Sequence, residues 1–189
     1  SMYYKKILAA ALTVSCIGGI VPANSVQAAS LKIRYSGKTR YYKGKQLHVS
    51  YANKNLSSKY VGIQINKVNM IPYYDYLVKQ GPKVKRTYSK SSGKLILKNG
   101  DDTLTAYVGK RTYYLNGVKK TFSVAPTKVK YYKTKKTIIL IPANAIVKGL
   151  GLNYKYSSSS KRIYITQPVI PSDSTTQVQT QPSGSVQYT

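Results

Sequence analysis

The sequence predicts an α+β fold, mainly antiparallel sheet in two similar repeats that each carry one short helix, and three observations predict it. Ile71-Pro72 with Gly81 recurs as Ile141-Pro142 with Gly151, a constant offset of 70 residues (71 to 141, 72 to 142, 81 to 151). Upstream, Tyr35-Ser36-Gly37-Lys38 with Tyr41-Tyr42 recurs as Tyr107-Val108-Gly109-Lys110 with Tyr113-Tyr114, an offset of 72 (35 to 107). Downstream, residues 88–97 are echoed by 156–165, each a Tyr-Ser opening followed by a polar turn and a Leu/Ile-rich strand. A period of this length is a duplicated supersecondary unit, too long for a heptad or a short solenoid coil.

The elements follow from turn chemistry. In the first copy, residues 31–35, 39–42, 46–51 and 60–65 read as strands. Residues 73–80 read as a helix closed by Gly81, and 83–88 with 94–98 as a hairpin. In the second copy, the apolar strand 94–98 runs into Asn99-Gly100, a strong hairpin signal. Residues 103–108 follow, then a Gly109-Lys110 turn and 111–115. Asn116-Gly117 turns the chain into 118–124 and completes a four-stranded meander. Residues 137–140 are a further apolar strand. Pro142 then opens a helix over 143–150, where its missing N–H would be unpaired anyway. Ala145, Ile146 and Leu150 share a stripe of that helix, and Gly151 is placed to end it. Residues 153–156 and 162–166 form the last hairpin. Strands interrupted by one short helix per copy make the α+β class.

The ends are different material. Lys5-Lys6, the apolar run 7–21 and the small-x-small triplet Val26-Gln27-Ala28 read as a signal peptide over residues 1–29. The apolar run is shorter than the ~20 residues a spanning helix needs, which argues against a permanent anchor. Thr13 stands where a lipobox ending at Cys16 would have Leu, which argues against lipidation. Cys16 is the only cysteine, so the processed chain has no disulfide framework. Residues 171–189 are Ser, Thr, Gln, Pro and Val with one charge, Asp173, and read as a disordered tail.

The charge balance is extreme: 31 Lys and Arg against 4 acidic residues give a net charge of +27. The acids are Asp75, Asp101, Asp102 and Asp173, and there is no Glu. A field of that sign attracts polyanions and repels basic partners. Lysines on sheet surfaces also block edge-to-edge aggregation, but a mixed-sign surface would serve that purpose equally. The densest basic run is Lys128, Lys130, Lys133, Lys135 and Lys136. Tyrosine is the second bias, at 20 residues against one Phe and no Trp. The Tyr-Tyr pairs at 41–42, 113–114 and 131–132 place one ring on each face of a strand. One ring of each pair then joins the core and the other stands among lysines, where it can stack on sugars or bases.

The stretch from Leu95-Ile96-Leu97 through Gly109, Asn116-Gly117, Ile141-Pro142, Leu150-Gly151 and Tyr156 to Ile163-Tyr164-Ile165 resembles a known family. It is similar to the stalk-type domain named after the N-terminal domain of copper amine oxidases, common in secreted proteins of Gram-positive bacteria. The resemblance covers about 70 residues well, and residues 31–93 more weakly. It implies a first, degenerate stalk-like repeat over 30–99 and a second over 100–170. The chain departs from the family pattern at Asn144, where Arg is usual, and at Tyr156, where Trp is usual; the acidic residues common in the helix are also missing.

The family name carries no copper into this chain. Copper sites need imidazole or thiolate clusters, and the processed sequence offers His48 alone. General acid–base catalysis needs His, Glu or paired carboxylates close together, and the inventory of one His and four Asp is poor in them. The expectation is a non-enzyme with no cofactor and no metal. Asp101-Asp102 sits in a turn, where Asp is favoured for backbone hydrogen bonding, and Asp75 reads as a first-turn helix residue.

The functional expectation is an exported protein of the cell surface that binds anionic polymers: teichoic acid, acidic polysaccharide or extracellular DNA. Lys128, Lys130, Tyr131, Tyr132, Lys133, Lys135 and Lys136 are the candidate polyanion-binding residues, with cations neutralising phosphates or carboxylates and Tyr adding stacking. The alternative is a structural spacer or assembly module whose partner is another surface protein. An intracellular nucleic-acid regulator is disfavoured by the signal peptide and by the lack of a helix-turn-helix or RNP pattern.

Overall fold

The computed structural model describes residues 30–169, so the expected signal peptide with Cys16, and the expected tail, lie outside the described residues. The chain forms β1 (Leu31–Tyr35), β2 (Lys38–Tyr42), β3 (His48–Tyr51), β4 (Lys54–Asn55), β5 (Ile63–Ile65) and β6 (Val68–Pro72). A π-helical turn, Tyr74–Lys79, leads to β7 (Lys85–Ser89), β8 (Lys94–Asn99), β9 (Asp102–Tyr107), β10 (Thr112–Leu115) and β11 (Val118–Thr121). Then come β12 (Thr127–Tyr131), β13 (Lys136–Pro142), helix α1 (Ala143–Gly149), β14 (Asn153–Ser157) and β15 (Arg162–Thr166). The class is α+β and mainly antiparallel, as the sequence predicts.

The strands form three sheets, ordered β2-β1-β12-β13-β6-β5, β11-β10-β9-β8-β7 and β14-β15-β3-β4. Strands from both sides of residue 99 share all three of them, β8 pairing with β9 within the five-stranded sheet. The six-stranded sheet draws β12 and β13 between β1 and β6, and β15 pairs in parallel with β3, Ile163 opposite Val49. All the other strand pairs are antiparallel.

Several elements depart from the sequence expectation. The expected helix at 73–80 is wound as a π turn and preceded by an unforeseen strand, β6. The hairpin β5–β6 turns on Asn66 and Lys67, both at positive φ (47° and 65°), the geometry of a type I′ turn built without glycine. Strand β11 stops at Thr121 instead of reaching 124; Phe122 turns inward and stacks on Tyr113 with ring centroids 3.8 Å apart. Of strand β12 the sequence marks only the Tyr131-Tyr132 end, because the alternating lysines before it read as a charge run.

Two apolar cores result. The larger packs α1 and the π turn against the three sheets through residues such as Ile71, Tyr76, Leu77, Leu95, Ile146 and Ile163. The smaller fills the other face of the six-stranded sheet with Ile33, Ile63, Met70, Val129, Tyr131 and Leu140. On α1, Ala143, Ile146, Val147 and Leu150 are buried, while Ala145 is only partly covered. Gly151, at φ +75°, closes the helix as expected, its N–H donating to the Lys148 carbonyl at 3.0 Å. The Asn99 side chain caps the same end, donating through Nδ2 to the Leu150 carbonyl at 2.7 Å.

Candidate functional site

Strand alternation creates the site. In β12, Val129 and Tyr131 point into the smaller core, so Lys128 and Lys130 must point to the opposite face. The pairing register carries that face across the sheet: Arg34 lies opposite Lys130, and Lys130 opposite Thr137. Lys32 is paired with Tyr41 on the neighbouring strand, β2. One face of β1, β2 and β12 is therefore a basic surface studded with rings.

Tyr132 is the centre of that surface. Lys32 Nζ lies 4.5 Å from its ring centroid and Lys130 Nζ 5.0 Å from it, so the ring is shared by two cations. Lys32 Nζ is also 5.8 Å from the Tyr41 ring, and Tyr41 is 64% exposed. The Tyr132 hydroxyl meets Thr39 Oγ1 at 3.1 Å, in a bond that either hydroxyl can donate, and Arg34 Nη1 donates to the same Thr39 oxygen at 3.1 Å. The Thr39 hydrogen bond, then the charges of Lys130, Arg34 and Lys32, hold the Tyr132 phenol below its ordinary value.

No described carboxylate is bound into this cluster. Asp75 accepts from Ser58 Oγ at 2.7 Å and Asp102 from Asn116 Nδ2 at 3.0 Å, both on other elements. The cluster can therefore do one thing chemically: present uncompensated positive charge beside exposed ring faces.

The seven predicted residues do not act as one patch. Lys128, Lys130 and Tyr132 border the sheet face just described. Lys133 and Lys135 occupy the β12–β13 turn, where Lys135 takes a left-handed φ of 55°, and Lys136 opens β13. Tyr131 requires a correction: it is 2% exposed, packs edge-on against Tyr60 at 5.2 Å, and donates its hydroxyl to the Val61 carbonyl at 2.6 Å. It is a core residue that no polymer can stack upon. Sequence reasoning missed Lys32, Arg34, Thr39 and Tyr41, because only the β1–β12 pairing, across nearly a hundred residues, brings them to Tyr132. The alternation of Lys32 and Arg34 around Ile33 was the available signal.

The donor set does not fit copper. His48 is an exposed residue at the start of β3, its imidazole held below its ordinary value by loss of water and by Arg162 and Lys161. Among the described residues no group of three or more His, Cys, Asp or Glu side chains is placed to hold a metal ion. Nor is any helix of the described residues long and apolar enough to cross a membrane.

Residues 51–165, more than half of the chain, match the family model described as the copper amine oxidase N-terminal domain. Comparison with curated proteins and with solved structures finds no match.

Proposed function

The chain belongs to the copper amine oxidase N-terminal domain family, a non-catalytic domain, and from that premise we propose that it is an exported, non-enzymatic protein of the cell envelope that binds anionic polymers. The observation that carries the proposal is Tyr132, held between Lys32 and Lys130 with Arg34 close by, with no carboxylate of the described residues bound into the cluster. A net charge of +27 supplies long-range attraction, and the cluster supplies a place for it to act. Lys32, Arg34, Lys128 and Lys130 neutralise phosphates or carboxylates, while Tyr41 and Tyr132 offer ring faces to the units between them. Lys133, Lys135 and Lys136 extend the positive field around the adjoining turn. Teichoic acid, acidic polysaccharide and extracellular DNA share the required chemistry.

Residues 1–29 serve in this proposal as the export signal, supported by the Lys5-Lys6, apolar-run and Val26-Gln27-Ala28 pattern. The offset of 70 residues between the Ile-Pro segments supports two stalk-like repeats, 30–99 and 100–170, that have grown into one sheet system. A spacer that contacts another surface protein is the competing function.

Salt separates the two. Binding to purified wall polymer and to DNA, followed from about 50 to 500 mM salt, should weaken steeply through counterion release. A salt-insensitive association with a protein partner, and no polymer bound at low salt, would leave the spacer standing.

A further inference from the structure

Between the π-helical turn, β7 and the first half of β13 lies a groove of about 450 Å³, within the roughly 300–1,000 Å³ range of small-ligand sites. It exists because β6 leaves the sheet early: β6 pairs with β13 only at Leu140, Ile141 and Pro142, while Thr137, Ile138 and Ile139 are left to line the groove. Tyr60, Tyr74 and Tyr88 supply open or half-buried rings to its walls, and Tyr73, 2% exposed, backs them from the core. One wall is fixed as a stack, since the Arg86 guanidinium carbon lies 4.5 Å from the Tyr74 ring centroid and Arg86 Nη1 donates to the Tyr73 hydroxyl at 3.2 Å. Two exposed cations, Lys90 and Lys128, complete the lining, with Asp75 as its one carboxylate.

The groove continues the basic face. Lys128, which lines it, and Lys130, which borders Tyr132, are alternate residues of β12 and share a side of the sheet. A chain lying along Tyr132 and Lys130 would reach the groove at its next step.

We infer that this groove is the subsite that selects the polymer, and that it takes a sugar residue bearing a carboxylate, as in an acidic polysaccharide. The inference rests on the polyanion function proposed above. A pyranose ring presents a flat C–H face suited to tyrosine stacking, which neither a polyol phosphate nor an extended peptide backbone offers. The carboxylate pairs with Lys90 and Lys128, and Asp75 accepts from a sugar hydroxyl. An acidic peptide added as a strand to β13 is the rival occupant. The edge left by β6 is only Lys136–Ile139, and in an antiparallel ladder alternate residues bond, so about two positions would hold it. Three open or half-buried rings and two cations outweigh so short a ladder.

The test uses the full chain with a short oligouronate as probe and sugar-free polyglycerol phosphate as reference, at low salt. Tyr74 is 44% exposed, so Tyr74→Ala is expected to keep the thermal midpoint. It should weaken oligouronate binding about tenfold and leave polyglycerol phosphate binding within about twofold of the unaltered chain. Lys90→Gln should repeat the selective loss through charge alone. Equal loss on both polymers, or no loss on the oligouronate, overturns the subsite. So does tighter binding of an acidic peptide than of the oligouronate. If the unaltered chain holds polyglycerol phosphate but not the oligouronate, the subsite falls and the polyanion function stands. If it holds neither of these nor DNA, both fall.

Discussion

Ile71 and Ile141 are antiparallel partners across β6 and β13, both fully buried, so the two Ile-Pro segments of the sequence meet inside the six-stranded sheet. Each strand then leaves the sheet through its proline: one into the π turn, one into α1. The pair therefore couples both helical elements to the larger core. Ile141→Ala should cost about 2–5 kcal/mol, the range for a buried Ile truncated in a close-packed interior. The urea midpoint should fall with an unchanged slope. A loss under about 1 kcal/mol would mean that the interface collapses around the cavity and is not the keystone described. Ile71→Ala and the double variant should show coupling, since residues in direct contact are rarely additive.

Tyr131 and Tyr132 are neighbours with opposite roles, and removing a single oxygen from each separates them. Tyr131→Phe deletes the donor to the Val61 carbonyl, at 2.6 Å, and leaves a covered acceptor unsatisfied. The cost should be about 1–3 kcal/mol of stability, with polymer binding unchanged. Tyr132→Phe should leave stability near that of the unaltered chain and change the pH dependence of binding instead. The phenol of Tyr132 is held below the ordinary 10.0 by Thr39, Lys130, Arg34 and Lys32. Its ionisation places a negative charge among those cations, so as pH approaches 10.0 polymer affinity should fall earlier and more steeply in the unaltered chain than in Tyr132→Phe, where lysine neutralisation alone acts. Ultraviolet phenolate titration alongside binding checks this. Superimposable titrations of the two chains would remove Tyr132 from the role assigned to it.

How much of this was legible varies with the range of the interactions involved. Local turn chemistry was readable: Asn116-Gly117 sits at the centre of the β10–β11 turn, with φ of 50° and 80°, and Gly151 ends α1. The equivalent turn at Asn66-Lys67 was not, because a lysine at positive φ carries no signature, and β6 was lost with it. Asn99-Gly100 was right as a hairpin but wrong in register, since Asn99 pairs with Asp102 and the loop is Gly100-Asp101. Burial splits each Tyr-Tyr pair as alternation requires: Tyr113 is 7% exposed and Tyr114 38%. The candidate site was half legible. The Lys128–Lys136 run located one strand of it, but Lys32, Arg34 and Tyr41 arrive by long-range pairing that no local pattern encodes.

Alkaline pH should unfold this protein through its buried tyrosines. Burial first, then the Asp75 carboxylate, pushes Tyr76 up to about 12, and burial pushes Tyr131 up as well. A folded-state value raised above the unfolded 10.0 means stability that is complete below pH 10.0 and is lost as pH rises toward about 12. Lysines lose charge over the same range and relieve self-repulsion, an effect of opposite sign. Comparison with Tyr76→Phe cancels the lysines. Denaturant midpoints of the two chains should converge or cross as pH rises past 10.0, the unaltered chain losing stability faster. Parallel curves would show that Tyr76 ionises without penalty and is less enclosed than its 1% exposure implies.

In the proposed function Lys32 and Lys130 act on the polymer as charges, and charges neutralised on a polyanion leave a measurable signature. Each lysine that displaces condensed counterions adds to the slope of log affinity against log salt, by about 0.7 for a single-stranded chain and about 0.9 for duplex DNA. Lys32→Gln with Lys130→Gln should therefore flatten that slope by about 1.4–1.8. Lys119→Gln is the control. It lies on β11, a strand exposed along its whole length in a different sheet, and removes one charge from the same long-range field. If binding responds only to total charge, Lys119→Gln will flatten the slope as much per residue as either cluster lysine, and the Tyr132 face has no special standing. If the polymer seats where two cations share one ring, the control will leave the slope almost untouched while the double variant loses both its steepness and its low-salt affinity.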